Sequence, residues 1–132
     1  MCAWTTARRR TAHRLPRAEL WARKAHNLFD LSPRGHGIDC YRTWESLALG
    51  MVVIVQRVRG PLDKLYEGLP VMLVDKYDDL TNATLARWAK EHTAKLASGA
   101  YPTVELAPGV RVLERLTTAY WVRRMRGVMR GE

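Results

Sequence analysis

Short apolar runs alternate with helix-spaced apolar positions along most of the chain. Residues 27–31 read as a short buried strand that stops at the Ser32-Pro33 breaker. A loop with two glycines follows, Arg34-Gly35-His36-Gly37. Residues 39–49 then carry Tyr41, Trp44, Leu47 and Ala48 at helix spacing, with Asp39 as the expected N-cap and Gly50 where a helix would end. Residues 51–55 form a continuous β-branched run, the mark of a strand buried on both faces. Gly60-Pro61 breaks it, residues 62–66 suit one helical turn, and residues 71–74 read as another short buried strand after Gly68-Leu69-Pro70. Thr81 opens a helix that places Leu85, Trp88, His92 and Leu96 on one face. Residues 97–112, punctuated by Gly99, Pro102, Pro108 and Gly109, read as loop with a brief extended piece at 103–106. A final helix is expected from about residue 113 to 126, its aromatics packed on the core. Before all this, residues 18–26 are compatible with a short helix.

Strands alternating with helices argue for an α/β fold, a parallel sheet joined by right-handed crossovers. In such sheets ligands bind beyond the carboxyl ends of the strands. The loops after Leu31, Val55 and Asp75 all fall at that edge.

Length and charge sharpen the picture. A chain of 132 residues suits one domain, and 47% hydrophobic residues suit a globular core. The formal charge is +9, but residues 27–110 hold nine Lys/Arg against ten acids. The excess lies at the ends: seven Lys/Arg against one acid in residues 1–26, and six against two in residues 111–132. A basic core is therefore excluded, and recognised nucleic-acid motifs are absent. Residues 1–26 are expected to be a basic extension, disordered or a short helix; their early arginines also resemble an organelle transit bias. Cys2 and Cys40 form no disulfide framework or zinc spacing, and no metal motif is visible. No secretory signal or membrane-length apolar run is visible, which leaves a cytoplasmic or organellar location open.

The chemistry concentrates between Leu31 and Gly50. Glycines between a strand and a helix let backbone N–H groups approach an anion, and a helix N-terminus favours phosphate. Arg34 and Arg42 can each pair with a diphosphate oxygen. Glu45, one turn into the helix, can accept from ribose hydroxyls. Each has a plainer reading: Arg34 solvated, and Glu45 in a surface ion pair with Arg42. Asp63 suits either a pocket border or the turn that opens a helix. His36 reads as a mobile loop residue, His92 as a satisfied core histidine, and Trp44, Trp88, Tyr120 and Trp121 as core aromatics.

The segment resembles the nucleotide-sugar-binding motif of GT-B glycosyltransferases, in which a Gly loop precedes a helix with a Glu-x-Leu-Ala-x-Gly pattern and then a buried strand. Glu45-Ser46-Leu47-Ala48-Leu49-Gly50 and residues 52–55 hold those places. Ser32-Pro33-Arg34-Gly35, Arg42-Thr43-Trp44-Glu45 and the stretch from Pro61 to Val71 are similar to the C-terminal region of exostosin-like or ribitol-xylosyltransferase-like enzymes. Leu116-Thr117-Thr118-Ala119-Tyr120-Trp121 is similar to the closing helix of that region. The resemblance spans about residues 28–90 with the outlying match near 116–121. It departs from the family at Val53, where relatives usually carry proline, and at Gln56, often a lysine; residues 57–60 are also longer than usual.

The resemblance implies a partial Rossmann-like sheet, a GT-B half-domain with flanking helices and a C-terminal helix, over residues 27–132. Arg34, Gly35 and Gly37 would border the donor diphosphate, Arg42 would be a second phosphate contact, and Glu45 would hold the ribose. The expected ligand is a nucleotide sugar, with no cofactor or metal. The acceptor domain of GT-B enzymes, which often carries the catalytic base, has no counterpart here, so no catalytic residue is assigned. Catalysis would need a second chain or a missing N-terminal domain, and the chain is expected to be truncated relative to its relatives. The competing expectation is a non-catalytic module whose basic ends contact nucleic acid or, through an amphipathic last helix, an anionic membrane.

Overall fold

A computed structural model of the chain describes residues 15–37 and 39–131. Its centre is the β-branched run, which forms strand β2 (Val52–Gln56) between β1 (Phe29–Leu31) and β3 (Val71–Val74). All three strands are parallel, with Phe29 beside Val52 and Val53 beside Val71. The first four residues of β2 are buried. A central strand covered on both faces has no polar side to show, which explains its unbroken apolar sequence. The expected three-stranded parallel sheet is present, with the first strand shortened to three residues.

Among the described residues five α-helices accompany the strands: α1 (Arg17–Lys24), α2 (Tyr41–Ala48), α3 (Pro61–Leu65), α4 (Asn82–Ala97) and α5 (Thr118–Arg130). Val53 and Val55 pack with Leu47 of α2 and with Tyr66 and Leu69 beyond α3, so α2 and α3 share one face of the sheet. Leu47 is 1% exposed, and its truncation to alanine would cost about 2–5 kcal/mol in lost packing. On the other face Ile54 neighbours Met72, whose sulfur touches His92 Nε2 of α4 at 2.7 Å. His92 is buried and bonds Tyr101 through Nδ1 at 2.6 Å, in keeping with a satisfied core histidine.

Polar links fix the helices. Lys24 Nζ at the end of α1 donates to Asp30 Oδ2 of β1 and to Ser46 Oγ of α2, each at 2.8 Å, and Ser46 Oγ donates to the same carboxylate oxygen at 2.6 Å. This triad joins three elements around a charge pair largely withdrawn from water, so loss of one partner leaves the other charge poorly solvated. Gly50 closes α2 as expected. It takes a left-handed φ of 80°, and the amides of Gly50 and Met51 return to the carbonyls of Leu47 and Ser46. Thr81 Oγ1 accepts from the Thr84 amide at 3.1 Å and caps α4 as the sequence suggests.

Three expectations are corrected. Asp39 does not cap α2; Cys40 holds the N-cap position without a side-chain bond. Both Asp39 oxygens instead accept from the indole N–H of Trp44 at 3.0 Å, and Oδ1 also accepts from the Tyr66 hydroxyl at 3.3 Å. The extended piece expected at 103–106 is present as β4 (Thr103–Ala107), but the residues after it are not loop: β5 (Val110–Leu113) pairs with β4 as an antiparallel hairpin. Pro108 and Gly109 make its turn, with Gly109 at φ 76° and its amide bonded to Glu105 Oε1 at 2.9 Å. The last helix starts at Thr118 rather than near 113, because Leu113 ends β5 in the core and a single tight turn at residues 114–116 intervenes. Tyr120 and Trp121 are half-buried at its start, as expected of packed aromatics.

Candidate functional site

The connections after β1, β2 and β3 emerge at one edge of the sheet, and a tyrosine that follows β3 ties them together. Tyr77 donates its hydroxyl hydrogen to the Ser32 carbonyl at 3.1 Å, and its oxygen accepts from the Gln56 amide at 3.3 Å. Burial raises the Tyr77 hydroxyl above its ordinary value, and the positive charge of Arg34 nearby works against that shift. The phenol therefore stays protonated and serves as a clamp between the ends of β1 and β2.

Arginines gather at this edge. Arg34 Nη2 donates to the Arg57 carbonyl at 3.0 Å. Arg59 Nη2 meets Asp75 Oδ1 at 3.2 Å, and Arg57 Nε lies 3.7 Å from the same oxygen. These pairs are exposed and worth little to stability, so Arg34, Arg57 and Arg59 are open to exchange partners. Asp63 takes the turn-forming alternative of its two readings. Its carboxylate accepts from the amides of Val58 at 3.0 Å and Arg59 at 2.9 Å. Those bonds hold Arg59 in a left-handed conformation, φ 58°, which a non-glycine residue adopts at a cost of about 1–2 kcal/mol.

The loop between β1 and α2 carries the first of the sequence-derived residues. Gly35 and Gly37 are exposed, and neither has a positive φ. A Cβ at Gly35 would meet nothing within 4 Å, and at Gly37 only the Asp39 carbonyl at an ordinary 3.5 Å. Nothing among the described residues requires glycine at either position. His36 is exposed in the same loop. Beneath the loop, the hydroxyls of Ser32 and Thr43 are buried and bonded to each other at 2.8 Å, which pins the end of β1 to the first turn of α2. Among the described residues no side chain caps that first turn, and in a parallel crossover it faces the carboxyl edge.

Arg42 and Glu45 lie on the side of α2 that faces α1. The Arg42 guanidinium sits 5.9 Å from the Tyr41 ring centre. Glu45 pairs with Arg17 of α1 at 3.5 Å rather than with Arg42. Together with Trp21 and Leu20 they line a groove of about 640 Å³ between the two helices. The structure thus divides the five residues: Arg34 bonds across to the end of β2, the two glycines form the exposed loop, and Arg42 and Glu45 border the α1–α2 groove.

Tyr77, Arg57, Arg59 and Asp75 were not singled out by the motif. Their signal was positional, since each stands just beyond the carboxyl end of β2 or β3.

Next to this edge, burial and the adjacent Asp39 carboxylate push the Tyr66 hydroxyl up to about 12. Tyr66 packs at 5.8 Å from the Trp44 ring, so Asp39, Trp44 and Tyr66 form one unit beneath the loop. Among the described residues, no group of three or more His, Cys, Asp or Glu side chains is placed to hold a metal. None of the described helices is long and apolar enough to cross a membrane. No protein-family model matches the chain, and no curated protein matches it.

Proposed function

We propose that the chain is a GT-B-type, partial Rossmann-like domain that binds a nucleotide-sugar donor at the carboxyl edge of its sheet. The observation that carries the reading is the convergence of three strand-end connections on an edge where Tyr77 clamps β1 to β2, Arg34 reaches across to the end of β2, and the first turn of α2 begins without a side-chain cap among the described residues. Backbone donors at a helix start and a guanidinium suit a diphosphate. In this reading Arg34, Gly35 and Gly37 border the diphosphate, Arg42 adds a second positive contact, and Glu45 accepts from the ribose. The resemblance of residues 28–90 to exostosin-like glycosyltransferases supplies the sugar-transfer part of the reading. Transfer itself requires a second domain or chain that brings the acceptor and the base. The test is calorimetric titration of the chain with UDP, GDP, ADP and CDP. Binding by at least one of them, weakened about 10- to 100-fold in Arg34→Gln, is expected. Absence of binding by all four overturns the proposal.

One observation favours a second, non-catalytic reading. On α5, Met125, Val128 and Met129 are exposed, as are Arg123, Arg124, Arg126 and Arg130 of the same helix. Such a helix suits the interface of an anionic membrane. Flotation with phosphatidylserine vesicles, lost in a Met125→Glu/Met129→Glu variant, would support it; no flotation would dismiss it.

A further inference from the structure

A cavity of about 440 Å³ lies between α2, α3 and the start of α5. It is lined by Trp44 and Ala48 of α2, Leu65 of α3, Leu116, Trp121 of α5 and one charged residue, Arg115. Its volume falls in the range of about 300–1,000 Å³ typical of small-molecule sites. The cation in this apolar wall is the unusual feature. A guanidinium carries five N–H donors, and partly buried charges are ordinarily paired. Arg115 forms no ion pair among the described residues; its neighbour Glu114 is taken by Arg123. Its guanidinium lies over the ring faces of Tyr120 at 5.5 Å and Trp121 at 5.9 Å, makes a long bond of 3.5 Å from Nη2 to the Leu65 carbonyl, and packs Nη1 against Gly68, where a Cβ would come within 3.0 Å. Nε is buried with no acceptor among the described residues.

We propose that this cavity binds an amphipathic monocarboxylate, with its carboxylate on Arg115 and its hydrocarbon or aryl body among Trp44, Leu65, Leu116 and Trp121. The fork of a guanidinium matches the two oxygens of a carboxylate, and a carboxylate supplies a counter-charge that the described residues do not. The aromatic faces that hold the guanidinium plane keep it preorganised for that partner. An apolar body is required because the rest of the wall offers almost no polar partners. A phosphate dianion would lose its hydration there with one cation in return. The site is independent of the nucleotide reading, since none of its lining residues is among those assigned to the donor.

The test titrates the full chain with octanoate and 3-phenylpropionate, read by tryptophan fluorescence and by the thermal midpoint. Octanamide and 3-phenylpropanamide serve as uncharged controls of the same shape. The acids should bind and raise the midpoint, and the amides should bind about 10-fold more weakly or worse. Arg115→Gln should reduce acid binding to the level of the amide. Because that substitution also disturbs the stack on Tyr120 and Trp121, a second variant, Ala48→Phe, fills the cavity and keeps the charge; it should block acid and amide alike. Octanoate binding should be unchanged by Arg34→Gln, which separates this site from the nucleotide site. Equal binding of acid and amide, or undiminished acid binding by Arg115→Gln or Ala48→Phe, overturns the proposal. So does the absence of binding by either acid.

Discussion

Tyr77 reaches back to Ser32 with a hydrogen bond of 3.1 Å, and so closes the carboxyl edge of a sheet whose strands are far apart in sequence. The same oxygen receives the Gln56 amide, which places one phenol between β1 and β2 from a position beyond β3. The hydroxyl thus satisfies a carbonyl and an amide that the ladder leaves over where the sheet ends.

Tyr77→Phe keeps the ring and removes both bonds. It should cost about 1–3 kcal/mol, because a partly buried donor and acceptor are left without partners. Chemical denaturation measures this directly. If the nucleotide reading holds, the same variant should also weaken nucleoside diphosphate binding, since the Ser32 end of the loop is no longer tied to the end of β2. A stability change below about 0.3 kcal/mol would show that water replaces the phenol without penalty.

At the acid end, His92 gives the pH dependence. Burial, and then the positive charge of Lys95, hold its imidazole below its ordinary value of about 6.5. The folded state therefore prefers neutral His92, while the unfolded chain takes up a proton more readily. Stability from this group is full above the unfolded value and falls as the pH drops from about 6.5 through the lower folded value. The Tyr101 hydroxyl, 2.6 Å from Nδ1, can donate only to the neutral ring. His92→Gln should flatten the pH dependence of the unfolding midpoint between pH 7 and 5. An unchanged slope in that variant would assign the acid sensitivity to the carboxylates.

At the alkaline end the sign reverses. Tyr66 has its hydroxyl raised to about 12 by burial first and by the Asp39 carboxylate next. The folded state holds the proton that the unfolded state gives up near pH 10. Its contribution is complete below pH 10 and is lost as the pH rises toward 12. Burial raises the Tyr77 and Tyr101 hydroxyls as well, so absorbance of tyrosinate at alkaline pH should show a late-titrating group of tyrosines that is smaller by one in Tyr66→Phe.

The central sheet was legible because a parallel strand buried on two faces has to be apolar throughout, and residues 52–55 are. The α4 cap was legible for an equally local reason, since Thr81 bonds an amide three residues on. Asp39 misled because its alternative partners lie outside the local pattern: Trp44 is on the helix face, but Tyr66 is 27 residues away. A buried phenol and an indole N–H compete for that carboxylate, and they win over the helix amides. Only the first strand of the hairpin at 103–113 was legible; the second was hidden by prolines and glycines, which mark turns without saying what they join. Its strands are mostly exposed, so they carry no strong apolar alternation. Within the candidate site, the segment from Arg34 to Glu45 was visible as a motif. The position of α1 was not, because the link that seats it, Lys24 to Asp30 and Ser46, is polar and spans up to 22 residues.

That seating makes Glu45 the most discriminating residue to change. Its carboxylate pairs with Arg17 at 3.5 Å, through a side chain of Arg17 that is 69% exposed. An ion pair with one partner so open to water is worth about 0–1 kcal/mol, so a ribose could displace it at little cost. Two roles for Glu45 then predict opposite results. As the ribose acceptor, Glu45→Gln should weaken nucleoside diphosphate binding by about 10- to 100-fold and leave stability nearly unchanged. In that case Arg17→Ala should leave the affinity intact or improve it, because it frees the carboxylate. As a seat for α1 alone, Glu45→Gln and Arg17→Ala should produce the same small loss of stability and no difference in nucleotide affinity. Calorimetry on the two variants, with denaturation curves for each, separates the cases. Equal affinity across wild type, Glu45→Gln and Arg17→Ala would remove Glu45 from the donor site.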